Sequence, residues 1–254
     1  MHRLEVFTIF EYPFFGWRFV LKSASSLSRE PFVASQRTKT QPGSLWLINR
    51  LNGRTMKEII LKHDKSIALV FFVLTFVFIV TAMTNEPFLN WVFERHQNQM
   101  SWFIRPVFLI PFCFFAYKRS WTGVSATLFC LFTSMFWFSK PDTVSEQASM
   151  FLQFEKSWLS AQWDFKKILL ALTVPVSFFA LGLAFWKRSL LMGLGVVVLM
   201  ATGKIVWSIY NAGQAGKSIL IPAITGLVLC IILIYYGFRR LEKNNKLYHE
   251  QIDK

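Results

Sequence analysis

Residues 66–83 read SIALVFFVLTFVFIVTAM, an unbroken apolar block with no charged side chain. A bilayer core takes roughly 20 apolar helical residues at about 1.5 Å each. The block is therefore read as a membrane span. The apolar core of a secretory signal runs only about 7–15 residues, and no clean small-x-small site follows here, so the span is expected to be retained.

Five more blocks follow, at 102–117, 121–138, 168–186, 190–210 and 219–238. The expected fold is all-α: a polytopic integral membrane helical bundle of six transmembrane helices, occupying 56–238 and followed by a basic tail at 239–254. Block 102–117 is the shortest and needs the residues just before it to complete a crossing. Trp102, Tyr117, Trp121, Trp137, Trp186, Tyr210, Tyr235 and Tyr236 mark block ends, where such rings prefer the headgroup level. Pro106, Pro111, Pro175 and Pro222 are expected to kink their helices. Gly182, Gly193, Gly195, Gly203 and Gly226 are expected to serve close helix packing.

Composition agrees. The chain is 54% hydrophobic, above the soluble range of about 45–50%, and the excess sits in blocks. The net charge is +14, but lysine and arginine gather at block ends, where they meet lipid headgroups and orient spans. No basic, aromatic-interleaved domain remains to bind nucleic acid. The expected partners are membrane lipids and other membrane-protein subunits. Cys113, Cys130 and Cys230 lie inside apolar blocks without a Cys-x-x-Cys pair, so they read as small buried hydrophobes.

Orientation follows from the flanks. Counted from Met56, one alternating set holds twelve Lys and Arg; the other holds six, over longer connections. Both termini are therefore expected in the cytoplasm, with the protein in the cell membrane. Residues 1–55 do not match the rest: they are Ser-rich, carry eight Lys or Arg, and keep no lasting period. They read as a disordered extension or as sequence ahead of a true start at Met56. A targeting segment fits less well, because Glu5, Glu11 and Glu30 interrupt it.

Between blocks three and four, Thr143 and Glu146 have capping-box spacing. Met150, Phe154, Trp158, Ala161 and Phe165 then recur at helical spacing. An amphipathic helix in the outer interface is expected over 143–165. Tyr117-Lys-Arg-Ser and Trp186-Lys-Arg-Ser recur in matching short turns, an echo that charge-driven topology alone would produce.

Chemistry is sparse. The polar block Glu94–Gln99 runs into an apolar block carrying Arg105 and Pro106. His96 with Glu94 is the candidate acid/base pair; an ordinary solvated loop has the same composition. On one continuous helix Trp91, Arg95, Asn98 and Trp102 would share a row leading toward Arg105. Arg105 and Lys204 are the ionisable residues within blocks, and intramembrane cations are candidate sites by default. They would repel each other or converge on one anion; each would otherwise snorkel to the interface. The candidate ligand-binding set is Arg105, Lys204, Asn98 and Arg95. No metal or cofactor is expected: phosphate-loop, His-Glu-x-x-His and Gly-x-Ser-x-Gly patterns are absent, and no histidines pair inside blocks. The expected role is a small transporter-like protein or membrane-complex subunit with an outward-facing anion or lipid-headgroup site. The alternatives are an enzyme working through Glu94 and His96, or an assembly factor docking a partner through the 143–165 helix.

Overall fold

The computed structural model describes residues 62–252, with side chains placed through Lys243. The 1–55 extension and the Met56 start lie outside the described residues. Within them the regular elements are all helical: α1 (Asp64–Thr84), α2 (Glu86–His96), α3 (Met100–Val107), α4 (Leu109–Tyr117), α5 (Trp121–Thr133), α6 (Glu146–Ser160), α7 (Phe165–Trp186), α8 (Leu190–Gly216) and α9 (Leu220–Ile252). Single 3-10 turns follow α5 and α8 at Ser134–Phe136 and Lys217–Ile219.

Four segments are long and apolar enough to cross a membrane: Asp64–Thr84, Met100–Tyr117, Phe165–Trp186 and Leu190–Lys243. The last, of 54 residues, contains α8 and the part of α9 up to Lys243. The apolar helix at Trp121–Phe136 is shorter, and the 13 residues of α5 reach about 20 Å. A helix satisfies its own backbone groups, which is what hydrocarbon demands.

The chain reverses direction from one long segment to the next, so α1 and α5, which lie side by side, run the same way. Phe71 packs on Phe129 and Phe78 on Phe136, with centroids 5.9 and 5.7 Å apart. The start of α1 caps the start of α5. The Asp64 carboxylate accepts hydrogen bonds from Trp121 N (2.8 Å), Thr122 N (3.0 Å) and Ser120 Oγ (3.1 Å).

The same end of the bundle carries two matching turns. Arg119 and Arg188 adopt the left-handed conformation, with φ of 57° and 58°. Arg119 N and Ser120 N donate to Ala116 O and Phe115 O; Arg188 N and Ser189 N donate to Phe185 O and Ala184 O. This is the paired C-terminal closure usually built around glycine. The turns also interlock: the Arg188 guanidinium lies 5.0 Å from the Tyr117 ring, and Arg119 Nε donates to Trp186 O at 3.4 Å. Tyr117 and Phe185 both pack on Phe238 of α9. The helix does not stop at that point but continues through the basic tail to Ile252.

The opposite end is a polar cap of α2, α6 and the α8–α9 connection. α2 starts at Asn85, whose Oδ1 accepts from Phe88 N, with Pro87 in the first turn. α6 is capped by Ser145, which accepts from Ala148 N, in place of the Thr143–Glu146 box. Its buried face is Ala148, Phe151 and Leu152, while Met150 is exposed. A row spaced by four drifts around a helix of 3.6 residues per turn, so the 150-154-158 row is not the inward one throughout. Gly213 breaks α8 at φ 55°, ψ −124°, a combination left almost wholly to glycine.

Two of the block-end aromatics sit inside the protein. Trp102 and Tyr117 are buried, whereas Trp121, Trp137, Tyr210 and Tyr236 are exposed. The central core joins Phe112, Cys113 and Ala116 of α4 to Leu181 and Phe185 of α7, Val197 of α8, and Cys230 and Ile234 of α9. The glycines divide similarly. A Cβ on Gly226 would sit 2.5 Å from the Pro106 ring, while Gly195 and Gly203 have nothing within 4 Å.

Candidate functional site

The polar block is not one helical row. α2 ends at His96, residues 97–99 turn, and α3 begins at Met100. The break separates the candidates into two groups. Arg95 and Asn98 turn toward the segment after α5: Arg95 Nε donates to Phe136 O (2.7 Å), and Asn98 Nδ2 donates to Ser139 O (3.0 Å). Asn98 Oδ1 also accepts from Met100 N. Both side chains fasten the cap. Glu94 pairs with Lys140 at 3.6 Å, with both side chains more than half exposed, so that pair adds little stability. The structure does not bring Glu94 to His96.

His96 is buried and faces the other way. Ser101 Oγ donates to Asn98 O at 2.7 Å and lies 2.7 Å from His96 Nδ1. Arg105 Nη1 lies 3.3 Å from His96 Nε2. A guanidinium only donates, so Nε2 is the acceptor. The single hydroxyl proton of Ser101 is committed to Asn98 O, so Nδ1 carries the imidazole proton. Burial holds His96 well below the ordinary histidine range, and the nearby Arg105 and Lys204 charges push the same way. The ring is thus a neutral support for Arg105. The Trp102 indole closes the arrangement by donating to His96 O at 3.0 Å.

Arg105 and Lys204 meet in one place. Both line a cleft of about 210 Å³ among α3, α4, α5, α7, α8 and α9. Its walls are otherwise apolar, with Leu109, Leu131, Phe178, Val197, Met200 and Leu227 prominent. From Lys204 to Val197 along α8 the cleft extends about 10 Å at helical rise. Arg105 Nε is buried without a hydrogen-bond partner. The carbonyl of Pro106 accepts from Cys230 Sγ at 3.0 Å, tying α9 to the wall. Pro106 and Pro111 flank the seam between α3 and α4 at Phe108, where each proline removes a backbone donor.

Lys204 has an acidic partner that does not lie in its own segment. Its Nζ pairs with Glu155 of α6. The ammonium also lies 4.8 Å from the Trp207 ring and 5.4 Å from the Phe151 ring. Reading apolar blocks separately from the intervening loop hides this pair, because Glu155 lies 49 residues earlier, in the cap. The Glu155 signal was only its place on an amphipathic helix.

Fold and cleft together define the class: a helical protein with four segments able to cross a membrane and two cations at one end of an apolar cleft. No protein-family model, curated protein or solved structure matches this chain.

Proposed function

We propose that this is a six-span cell-membrane protein, with both termini cytoplasmic, that holds an anionic amphiphile in the Arg105–Lys204 cleft. The role is that of a small transporter-like protein or a subunit of a membrane complex, not an enzyme. The observation that carries the reading is the convergence of both intramembrane cations on one apolar-walled cleft. Two cations attract a carboxylate or phosphate head, and apolar walls favour an alkyl tail over a bare hydrated anion. The alternating helix directions and the excess of Lys and Arg at the turn end support six spans and cytoplasmic termini. On that orientation the cation end of the cleft lies in the outer half of the bilayer.

The rival readings draw less support. Glu94 is solvated beside Lys140, and His96 has both ring nitrogens engaged, so neither stands ready as the base of an acid/base pair. The inner face of α6 is already spent on the bundle, through Ala148, Phe151 and Leu152.

Calorimetry on the protein in phosphatidylcholine nanodiscs tests the reading. Dodecyl phosphate is expected to bind, and inorganic phosphate is not. Arg105→Gln and Lys204→Gln should each weaken dodecyl phosphate at least tenfold. Undiminished binding to the double variant would overturn the site; equal binding of inorganic phosphate would reduce it to a simple anion site.

A further inference from the structure

The cation end of the cleft already holds an anion. Glu155 reaches from α6 to Lys204, and its side chain is only 17% exposed, against 48% for Lys204. A largely desolvated carboxylate needs a cation, and Lys204 is its ion-pair partner. Among the described residues this is the one ion pair joining α6 to the rest of the bundle. The C-terminal end of α6 is also held to α7, where Lys167 Nζ donates to Leu159 O and Ala161 O and lies 5.1 Å from the Trp158 ring, and toward α8 the remaining contacts are aromatic. Phe154 and Trp158 pack against Trp207, with centroids 5.8 and 5.5 Å apart, and Phe151 packs on Trp102.

An anionic head entering the cleft meets Lys204 from the side opposite the cap. It cannot share that ammonium with Glu155 without bringing two negative charges together in a partly dry site, where like charges repel strongly. Arg105 makes no ion pair with Glu155: its contact is with His96, and its Nε is buried without a hydrogen-bond partner. One anion must leave. Glu155 is the one that yields, since it is carried on α6, between the Ser145 cap and the Lys167 contacts at Leu159 and Ala161, and its side chain reaches α8 through this ion pair.

We propose that Glu155 is a resident counter-anion of the cleft. The ligand's anionic head displaces it from Lys204, and the displacement frees the second half of α6 from α8. This inference rests on the amphiphile reading of the cleft. It adds that binding is an exchange, that the protein's own carboxylate offsets one of the two cations in the empty site, and that α6 is the ligand-responsive cover.

Two measurements on the full chain in phosphatidylcholine nanodiscs decide it. The first is dodecyl phosphate affinity by calorimetry for the wild type, Glu155→Gln and Glu155→Asp. Removing the competitor should tighten binding at least tenfold in Glu155→Gln, with little change in Glu155→Asp. The second is amide hydrogen exchange of residues 150–160 in the wild type with and without saturating dodecyl phosphate. Exchange there should quicken on binding while α7 and α8 stay protected. Equal affinity of wild type and Glu155→Gln would overturn the exchange and leave the amphiphile site standing. No binding by either protein would instead overturn the underlying reading. Should Glu155→Gln fail to fold, unchanged exchange in the ligand-saturated wild type is enough to reject the proposal.

Discussion

At His96 one donor-only neighbour sets the polarity of a whole chain of hydrogen bonds. Arg105 fixes Nε2 as acceptor, Nδ1 then holds the proton, and Ser101 passes its own to Asn98 O. The neutral ring has a consequence for pH. Its proton affinity is lowered on folding by burial first and by Arg105 and Lys204 next. Below the unfolded histidine value, near 6.5, the unfolded chain binds a proton that the folded one refuses, so stability falls as pH drops and is full above that value. The thermal midpoint in detergent is expected to be lower at pH 5 than at pH 7.5, and His96→Gln should flatten that difference. An equal slope in the variant would assign the effect to other groups. Gly226 offers a second test at this scale. A side chain there meets the rigid Pro106 ring, and such overpacking costs about 1–3 kcal/mol. Gly226→Val should lower the melting temperature and narrow the cleft, whereas Gly203→Ala, which meets nothing within 4 Å, should be close to neutral.

Among the elements, α5 depends on a cap it does not own. Ser120 caps it locally by accepting from Gly123 N at 3.1 Å, and Asp64 adds two further backbone bonds from another helix. Charge-assisted bonds to backbone donors are among the stronger ones. Asp64→Ala is expected to cost about 2 kcal/mol, read as a lower melting temperature, with Asp64→Asn in between. A melt unchanged by Asp64→Ala would mean that α5 holds without α1. The elements also show where sequence reading stopped. α1, the α3–α4 segment, α7, α8 and the apolar part of α9 were legible because hydrocarbon-length apolar runs admit one interpretation. α2 was missed although Asn85 and Pro87 mark a helix start and Leu89, Val92, Phe93 and His96 make a one-sided stripe. Its polar tail drew attention to composition over spacing. The α6 cap was placed two residues early because Thr143 and Ser145 are both competent to cap, and only tertiary contact chooses between them.

For the molecule as a whole, the candidate site was half legible. Arg105 and Lys204 were found because a charge within an apolar run is conspicuous. That they share a cleft, and that Glu155 sits on Lys204, depend on how the segments fold against one another, which periodicity does not encode. Arg95 and Asn98, read as ligand residues, hydrogen-bond to Phe136 O and Ser139 O and stand apart from the cleft, because the turn at 97–99 swings them that way. The proposed six-span topology makes a global prediction. In a background lacking Cys113, Cys130 and Cys230, single Lys140→Cys and Lys187→Cys variants should be labelled from opposite sides of the membrane by an impermeant maleimide. Labelling of both from one side would remove the topology and, with it, the outward placement of the cleft.

The parallel pairing of α1 with α5 bears on how the protein is made. Asp64 reaches Trp121, a partner translated 57 residues later. α1 leaves the ribosome with its neighbour α5 still unmade. It must wait in lipid, and its surface suits the wait, since most of its large apolar side chains stay exposed even in the finished bundle. Insertion and assembly are therefore separate events for α1, as in a two-stage scheme of membrane-protein folding. Arrested nascent chains carrying Asp64→Cys and Trp121→Cys should cross-link only once α5 has cleared the exit tunnel in full. The early products of translation would thus be the ones most open to a membrane chaperone or quality-control protease.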